Sequence, residues 1–391
     1  MGNSSVLYQS LLLLLDQGQW RDFRHLKTGV DMVVGLLLSA STNLTKWTPF
    51  AQGRALIAQS IQRRFIRWLN NHHIDVHQLY APLIREALSQ WGDNTLYLAF
   101  DTSLLWDRYC IIRICVVYRG RAVPIAWEVI EHGSASVAYR VYRRVLHRVP
   151  PLLPCPVGKV VLLADRGFAD LALMRLCRRL KWRFHIRIKG NFQVYRHRHG
   201  FCSVDKLAPR QPGTARFYHY VALTNERFGP LHLALGNHTE SDELWLIASD
   251  ELTGLQTFQE YGLRFDIEEN FLDDKSNGFQ LESSGIRCAK ALTRLCFGIA
   301  VATLYLTSQG TTVVAQGDRR RVDPHWFRGH SYLRIGWDWL RHALSRGWEL
   351  VVSFRLEGGP DPDPVKASRA QYERNQTRFE GFNCKTLIYQ E

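Results

Sequence analysis

The chain has 391 residues, 46% of them hydrophobic and 12% aromatic, which indicates a globular protein with a sizeable core and excludes an intrinsically disordered chain. Its 50 Lys and Arg residues against 36 Asp and Glu residues give a net charge of +14, which suits nucleic acid, although an anionic membrane surface or no specific partner also fits. The eight Cys residues include no CxxC pair, so the sequence predicts neither a zinc site nor a disulfide framework.

Apolar residues recur at helical spacing in the first part of the chain. They do so through residues 6–15, 30–38 and 57–69. The last segment carries Arg63 and Arg67, which are four apart and share one helical face. A basic helix can lie along or in a DNA groove, whereas an ordinary amphipathic helix with solvated arginines is the simpler alternative. We expect residues 1–92 to form a helical, DNA-binding N-terminal region.

From Thr95 the pattern changes to strands that later alternate with helices. A three-stranded antiparallel meander is predicted from residues 95–100, 109–118 and 122–129. Helix, strand, helix and strand then follow at residues 136–147, 157–165, 171–180 and 182–189. Asp101 ends the first strand and Asp165 ends the fourth. Because the ends of neighbouring strands in a mixed α/β sheet lie side by side, these two carboxylates are predicted to meet.

The sequence beyond the fifth strand predicts a β-rich insertion, at about residues 190–250, and then a long buried helix over residues 281–306. We therefore expect a catalytic domain over residues 93–309 and a separate C-terminal region over residues 310–391. The latter is predicted to contain a helix, a strand and an irregular, mobile segment, at residues 337–344, 348–356 and 358–364.

No targeting or membrane segment is predicted. The apolar run at residues 11–15 is too short for a secretory signal, and the run at residues 296–306 is too short to span a bilayer. The sequence therefore predicts a cytoplasmic protein.

A strongly basic stretch occupies residues 171–200, with nine Lys or Arg residues and no Asp or Glu. Arg183, Arg187 and Lys189 share one face of the predicted fifth strand by the strand period of two. Charge runs are usually just solvated, but thirty residues without an acid are unusual in a chain that has 36. Arg187 and Lys189 are therefore candidate DNA contacts.

A polar stripe is predicted on the helix that follows the insertion. Tyr261, Arg264, Glu268 and Lys275 fall within an arc of roughly 60° and extend over roughly 21 Å of helix. Such a length suits a polymer with phosphates at intervals, and a carboxylate among donors suits metal-ion and phosphate chemistry. A solvated helix face is the alternative, although apolar residues border the stripe.

The order Tyr-x2-Arg-x3-Glu-x6-Lys in this helix is similar to the signature of the DDE transposases of bacterial insertion sequences, specifically the insertion sequence four group. The segments Asp101-Thr-Ser and Asp165-Arg-Gly-Phe resemble the first and second motifs of the same enzymes. The order of strands and helices resembles their ribonuclease H-like, or retroviral integrase-like, fold. The expected fold class is therefore α/β, with a mixed sheet, flanking helices and a β-rich insertion.

Three carboxylates, on Asp101, Asp165 and Glu268, suit two divalent ions. Hard oxygen ligands favour Mg²⁺, with Mn²⁺ able to substitute, and two such ions support in-line phosphoryl displacement. The competing carboxylates belong to Asp170, Asp266, Glu269, Asp273 and Asp274. The resemblance selects the first three as the catalytic and metal-binding set.

The resemblance also implies DNA contacts near the cut, made by Tyr261, Arg264 and Lys275. By the same resemblance, Trp245 stacks on a flipped base during hairpin formation, which indole chemistry permits. A core tryptophan is the equal alternative, because the spacing from Trp245 to Tyr261 is shorter here than in the family.

The resemblance implies a cut-and-paste DNA transposase that nicks transposon ends, forms hairpins and transfers strands into target DNA. Its partners would be terminal inverted repeats, target DNA and a second copy in a synaptic homodimer, in the bacterial cytoplasm at the nucleoid. A ribonuclease H-like nuclease without strand transfer and a domesticated DNA-binding protein are the alternatives. The intact set of carboxylates argues against a decayed site.

Overall fold

A computed structural model describes residues 3–53, 56–154, 158–238 and 243–365, together with the backbone of residues 386–390. The first part of the chain is helical, as the sequence predicts. Its helices are α1 (Asn3–Leu15), α2 (Phe23–Ser39), α3 (Leu44–Trp47), α4 (Ala58–Asn70) and α5 (Val76–Leu88). The last lies within the range predicted to be helical but outside the three segments singled out there, and Asp75 caps it by accepting hydrogen bonds from the backbone N–H groups of His77 and Gln78.

The meander and the two following strands form the sheet that carries the candidate site. The strands are β1 (Thr95–Leu105), β2 (Tyr109–Tyr118), β3 (Arg121–Glu131), β4 (Lys159–Ala164) and β5 (Arg183–Arg187), and the intervening helices are α6 (Tyr139–His147) and α7 (Leu171–Arg179). The strand order is β3-β2-β1-β4-β5, with β1, β4 and β5 parallel and the meander antiparallel. The predicted mixed α/β class is confirmed, and the arrangement fits a ribonuclease H-like domain.

The β-rich insertion extends this sheet instead of forming a separate module. It contains β6 (Gln193–Arg196), β7 (Gly200–Ser203), α8 (Val204–Leu207), β8 (Thr214–Leu223), β9 (Phe228–Asn237) and β10 (Leu244–Ser249). Strand β10 pairs antiparallel with β5, and β11 (Thr386–Gln390) pairs parallel with β8. The sheet order continues β5-β10-β9-β8-β6-β7.

The helix predicted over the polar stripe is broken into four pieces. Helix α9 (Leu255–Gly262) is followed by a 3₁₀ turn (Leu263–Phe265), by α10 (Asp266–Leu272) and by a π turn (Asp273–Asn277). Each change of helix type rotates the side chains that follow, because the residues per turn differ. The expectation of one continuous polar face is therefore wrong.

The C-terminal part contains α11 (Ala289–Ala315) and α12 (Tyr332–Arg346). In the described part of the chain, α11 alone is long and apolar enough to cross a membrane by length and composition, and 89% of its apolar window is buried inside the protein. The strand predicted at residues 348–356 is not formed. There the Gln309 side chain bonds the N–H of Val351 at 3.0 Å and its C=O at 2.8 Å, which satisfies extended backbone without a partner strand.

One hydrophobic core joins the N-terminal helices to the sheet that carries the candidate site and to α11. The rings of Trp68 in α4 and Phe297 in α11 stack with centroids 6.1 Å apart. Tyr80 in α5 donates to the C=O of Pro124 in β3 at 2.8 Å. The predicted boundary near residue 92 thus falls between elements that share buried contacts.

Candidate active site

Two of the predicted carboxylates meet where the parallel ladder between β1 and β4 ends. The last pair in that ladder is Phe100 with Ala164, so Asp101 and Asp165 are the next residues on each chain. Strand β1 continues to Leu105 along β2 alone, and the prediction that it ends at Asp101 is wrong. The two residues nevertheless follow the last pair of the parallel ladder, and the charge of Asp165 raises the pKa of Asp101.

Arg264 joins the third carboxylate to the first. Its Nη1 lies 2.9 Å from Oδ2 of Asp101, and its Nη2 lies 2.6 Å from Oε1 of Glu268. The Arg264 side chain is only 6% exposed, whereas that of Glu268 is 45% exposed and faces solvent. Segments far apart in the sequence therefore converge on one guanidinium, which donates a charge-assisted hydrogen bond to each carboxylate.

The Asp101 carboxylate has a raised pKa of about 6. Burial is the main cause, and the charges of Asp165 and Glu268 raise it further. The Arg264 guanidinium and the backbone N–H of Thr102 lower it only in part. Arg264 therefore offsets only part of the cost of burying an ionised Asp101.

The chemistry of this donor set fits a divalent cation. In this structure Arg264 lies between Asp101 and Glu268, and the ligand atoms of the three carboxylates are not all within 4.8 Å of one another, so a bound ion would need them to move closer together. The three groups are all carboxylates, which are the ligands that Mg²⁺ and Mn²⁺ prefer. The pKa of Asp101 is raised mainly by burial, with smaller contributions from Asp165 and Glu268, so a cation bound here would favour the ionised carboxylate. A bound cation would compete with Arg264 for Asp101 and Glu268.

Tyr261 and Trp245 are buried next to the carboxylates and do not face solvent. Their exposed fractions are 0% and 2%, and their rings meet edge to face at 5.4 Å. The cluster around them joins α9 to strands β8, β9 and β10. The inserted strands cover both rings, which favours the core alternative for Trp245, and direct DNA contacts by these two side chains stay predictions.

Lys275 lies on the π turn and is half-buried. Burial lowers the pKa of its ammonium group, and Arg113 adds to that effect, whereas Glu282, Asp274 and Asp107 oppose it. Lys275 therefore lies near Arg113 and several acidic groups of its own chain.

A cleft of about 660 Å³ is lined by Arg166, the residue that follows Asp165, and is called the basic cleft below. Its walls include Arg166, Arg187 and Lys189, together with the acidic residues Asp205 and Glu243. Arg187 is held by Glu243 at 2.8 Å and by the C=O of Leu244 at 2.8 Å, whereas Arg166 and Lys189 are exposed. Sequence reasoning missed Arg166, whose position directly after Asp165 was the available signal.

The helix α4 presents Arg63 and Arg67 to solvent, as expected. Arg64, between them, turns inward and pairs with the buried carboxylate of Asp31 at 2.6 Å. One arginine of this helix therefore has a structural partner, and the other two face outward.

The competing carboxylates occupy other positions. Asp170 caps α7 by accepting from the N–H of Ala172 at 2.7 Å. Asp274 is fully buried and pairs with Arg113 at 2.6 Å. The others surround Arg121, namely Asp266, Glu269 and Asp273.

A family model described as a transposase DDE domain matches residues 107–305, just over half of the chain. The matched range contains Asp165 and Glu268, and it begins six residues after Asp101. No curated protein matches the chain. The chain therefore belongs to the transposase DDE domain family, whose members are enzymes that cleave DNA and generally use divalent metal ions.

Proposed function

We propose that Asp101, Asp165 and Glu268 are the catalytic and metal-binding residues of a cut-and-paste DNA transposase. The observation that carries this proposal is the convergence of Asp101 and Glu268 on Arg264, with Asp165 beside Asp101. Of the carboxylates weighed from the sequence, the other five each have a capping, ion-pairing or clustering role elsewhere. The closing of the ladder at Phe100 and Ala164 gives the first two their positions.

The residues of the chain would do three things in the reaction. Asp101, Asp165 and Glu268 would hold two Mg²⁺ ions, or Mn²⁺ in their place, and these ions would stabilise the attacking and leaving oxygens of an in-line displacement. Arg264, once released from a carboxylate, would reach a phosphate oxygen of the DNA end. The buried walls of the site would limit access of bulk water.

The finer family assignment is also a proposal. The spacing of Tyr261, Arg264, Glu268 and Lys275 supports the insertion sequence four group, whose signature it resembles. Arg264 and Lys275 would contact the transposon end from their present turns, and Lys189 with Arg187 would follow the backbone along the basic cleft. Tyr261 would help indirectly, since Arg264 Cζ lies 5.9 Å from its ring centroid.

We propose that the substrates are the terminal inverted repeats of a mobile element and the target DNA that receives it. The reaction would nick the ends, form hairpins and transfer strands, with two copies of the chain in a synaptic dimer at the bacterial nucleoid. Hairpin formation would require the cluster around Trp245 to open before that indole could reach a flipped base.

The domain division follows the same proposal. Residues 1–92, with Arg63 and Arg67 exposed on α4, would bind the transposon end. Residues 93–309 would carry the chemistry, with the insertion at about residues 190–250, and residues 310–391 would complete the molecule.

A ribonuclease H-like nuclease without strand transfer and a domesticated DNA-binding protein remain the competing functions. The test uses DNA that carries the inverted repeats flanking the reading frame, incubated with Mg²⁺, Mn²⁺, Ca²⁺ or EDTA. We expect cleavage with the first two, binding alone with Ca²⁺, and no cleavage in EDTA. Efficient cleavage in EDTA would contradict the metal proposal, and cleavage without joining to target DNA would favour the nuclease.

A further inference from the structure

Trp326 is the most exposed tryptophan side chain of the protein. The chain has 12 Trp residues, all within the described ranges, and 11 of them are buried or half-buried. Trp326 is 79% exposed, and its neighbour Phe327 is 54% exposed. Leaving aromatic side chains of this size in water forgoes the favourable free energy of their burial, so an exposed adjacent pair marks an interaction surface.

The tryptophan loop, defined here as residues 323–330, is held in one shape from inside. The buried guanidinium of Arg319 donates to the C=O groups of His325, Trp326 and Phe327 at 3.0, 3.0 and 3.2 Å. It also pairs with Asp323 at 3.2 Å. The exposure of Trp326 is therefore a feature of an ordered loop and not of a loose one.

At the base of the tryptophan loop, the side chains of one aspartate and two histidines lie close together. Asp323, His325 and His330 place potential metal-ligand atoms within 4.8 Å of one another. However, Nδ1 of His325 lies 2.6 Å from Oδ1 of Asp323, whereas two tetrahedral ligands of one zinc ion lie about 3.4 Å apart. His325 thus donates a hydrogen bond, and Gly329 donates another from its N–H at 2.9 Å. The cluster therefore stabilises the shape of the loop through hydrogen bonds to Asp323.

The charge nearest the Trp326 ring is a cation. Three of the four Arg residues in residues 318–330 have acidic partners among the described residues. Arg319 pairs with Asp323 and Asp363, Arg321 pairs with Asp318, and Arg328 pairs with Asp361. The guanidinium of Arg320 lies 4.5 Å from the Trp326 ring centroid and covers one indole face. The surface that remains is an aromatic face beside an exposed arginine.

The same loop borders a second basic cleft, of about 310 Å³. His330 lines it from the loop, and Asp273, just after α10, lines it from the other side. Arg121, Arg334 and Arg341 also line it. The loop is therefore connected, through a cleft rich in cations, to the helix that carries Glu268.

We propose that the tryptophan loop is a second DNA-binding site, in which Trp326 stacks on an unpaired or unstacked base and Arg320 binds the adjacent phosphate. Stacking platforms flanked by cations are how proteins bind single-stranded segments without reading their sequence. A contact with a second copy of the chain is disfavoured, because a two-fold interface centred on Trp326 would bring the two Arg320 side chains close together. The inference rests on the proposed action on DNA.

The test measures the affinity of the full chain for a fluorescein-labelled duplex with an unpaired tail, and for the same duplex without the tail, by anisotropy. Trp326→Ala should weaken binding of the tailed duplex by about 5- to 150-fold, while Trp326→Phe should retain most of it. Arg320→Ala should reduce the salt slope by about 0.9. Tyr220→Ala, which removes another exposed aromatic ring (67%), is the matched control and should bind normally.

A second measurement follows the indole itself. Iodide should quench a fluorescence component that Trp326→Phe lacks, and the tailed duplex should protect that component. Unchanged affinity of Trp326→Ala, with wild-type binding and cleavage intact, would overturn this inference alone. Self-association of the wild type that Trp326→Ala abolishes in sedimentation would assign the loop to a second copy. Absence of both DNA binding and cleavage in the wild type would overturn the proposed function as well.

Discussion

At the residue scale, a substitution of Glu268 should affect DNA cleavage much more than DNA binding. Its carboxylate is 45% exposed and shares Arg264 with Asp101, so Glu268→Gln should leave Arg264 anchored and the helix intact. A neutral amide is a poor Mg²⁺ ligand, and metal positioning carries most of phosphoryl transfer. We expect cleavage to fall at least ~10³-fold, or ~4 kcal/mol of barrier, with DNA-end affinity nearly unchanged, as measured by cleavage and gel-shift assays.

The neighbouring residue supplies the control. Glu269 lies 3.9 Å from Arg121, on another side of α10, and Glu269→Gln should cut normally. If Glu269→Gln were inactive while Glu268→Gln cut normally, the carboxylate assignment would be wrong.

Trp245 is expected to behave as a core residue. Its ring packs against Tyr261, Phe258 and Phe265 with centroids 5.4–6.4 Å away. Trp245→Ala should therefore lower the free energy of unfolding by about 3–5 kcal/mol and reduce nicking and hairpin formation together. Thermal melts and cleavage assays test this expectation. Selective loss of hairpins, with unchanged thermal stability, would instead support the base-stacking role.

At the scale of elements, a buried ion pair connects strand β2 of the sheet to the π turn that follows α10. Arg113 in β2 pairs with Asp274 in the π turn at 2.6 Å, and both side chains are at most 1% exposed. Arg113 also donates to Asn270 at 2.7 Å. This contact fixes the end of the segment whose start places Arg264 and Glu268 beside Asp101.

Breaking that pair should be costly. Arg113→Met leaves Asp274 buried without its cation and should lower the free energy of unfolding by about 3–5 kcal/mol. The double variant Arg113→Met, Asp274→Leu removes both charges and should recover much of the loss in urea titrations. Equal stability of the single and double variants would show that the pair does not act as a unit.

Helix α4 offers a test of its own. Arg63 and Arg67 are exposed, whereas Arg64 pairs with Asp31. Arg63→Ala with Arg67→Ala should weaken DNA-end binding and lower the salt slope by about 0.9 for each phosphate that the helix no longer neutralises. Arg85→Ala in α5, also exposed, is the control; a slope unaltered in the double variant would assign α4 to packing alone.

The elements also show what the sequence could predict. The meeting of Asp101 and Asp165 follows from strand patterns, because parallel neighbours bring equivalent ends together. The burial of Trp245 and Tyr261 does not, because it depends on β10 joining β5 and bringing the insertion over α9. Local periodicity carries no information about such a distant pairing.

At the scale of the whole molecule, several Asp side chains ionise at a higher pH than a free Asp side chain does. Burial is the main cause of raised pKa values at Asp31, Asp101 and Asp273, each about 6, and at Asp266, about 7. A raised pKa means that the folded state binds the proton more strongly than the unfolded state does. Each group therefore contributes stability at low pH that is lost as pH rises from about 4 through 6 or 7. His77, with a pKa lowered by burial to about 3, opposes them below its unfolded value.

Between pH 5 and 8, the four acids should change the free energy of unfolding more than His77 does. The metal-free protein should therefore be more stable near pH 5 than near pH 8, by on the order of a few kcal/mol. Below pH 4 the trend should reverse, since hydrogen bonds to Asp323 outweigh its burial and lower its pKa to about 2, so that its contribution is lost as the pH falls toward 2. Urea unfolding from pH 3 to 8 measures this profile. Asp266→Asn should flatten the limb between pH 5 and 8, whereas exposed Asp93→Asn should not. A protein most stable at pH 8, with or without Asp266, would contradict the burial assigned to these carboxylates.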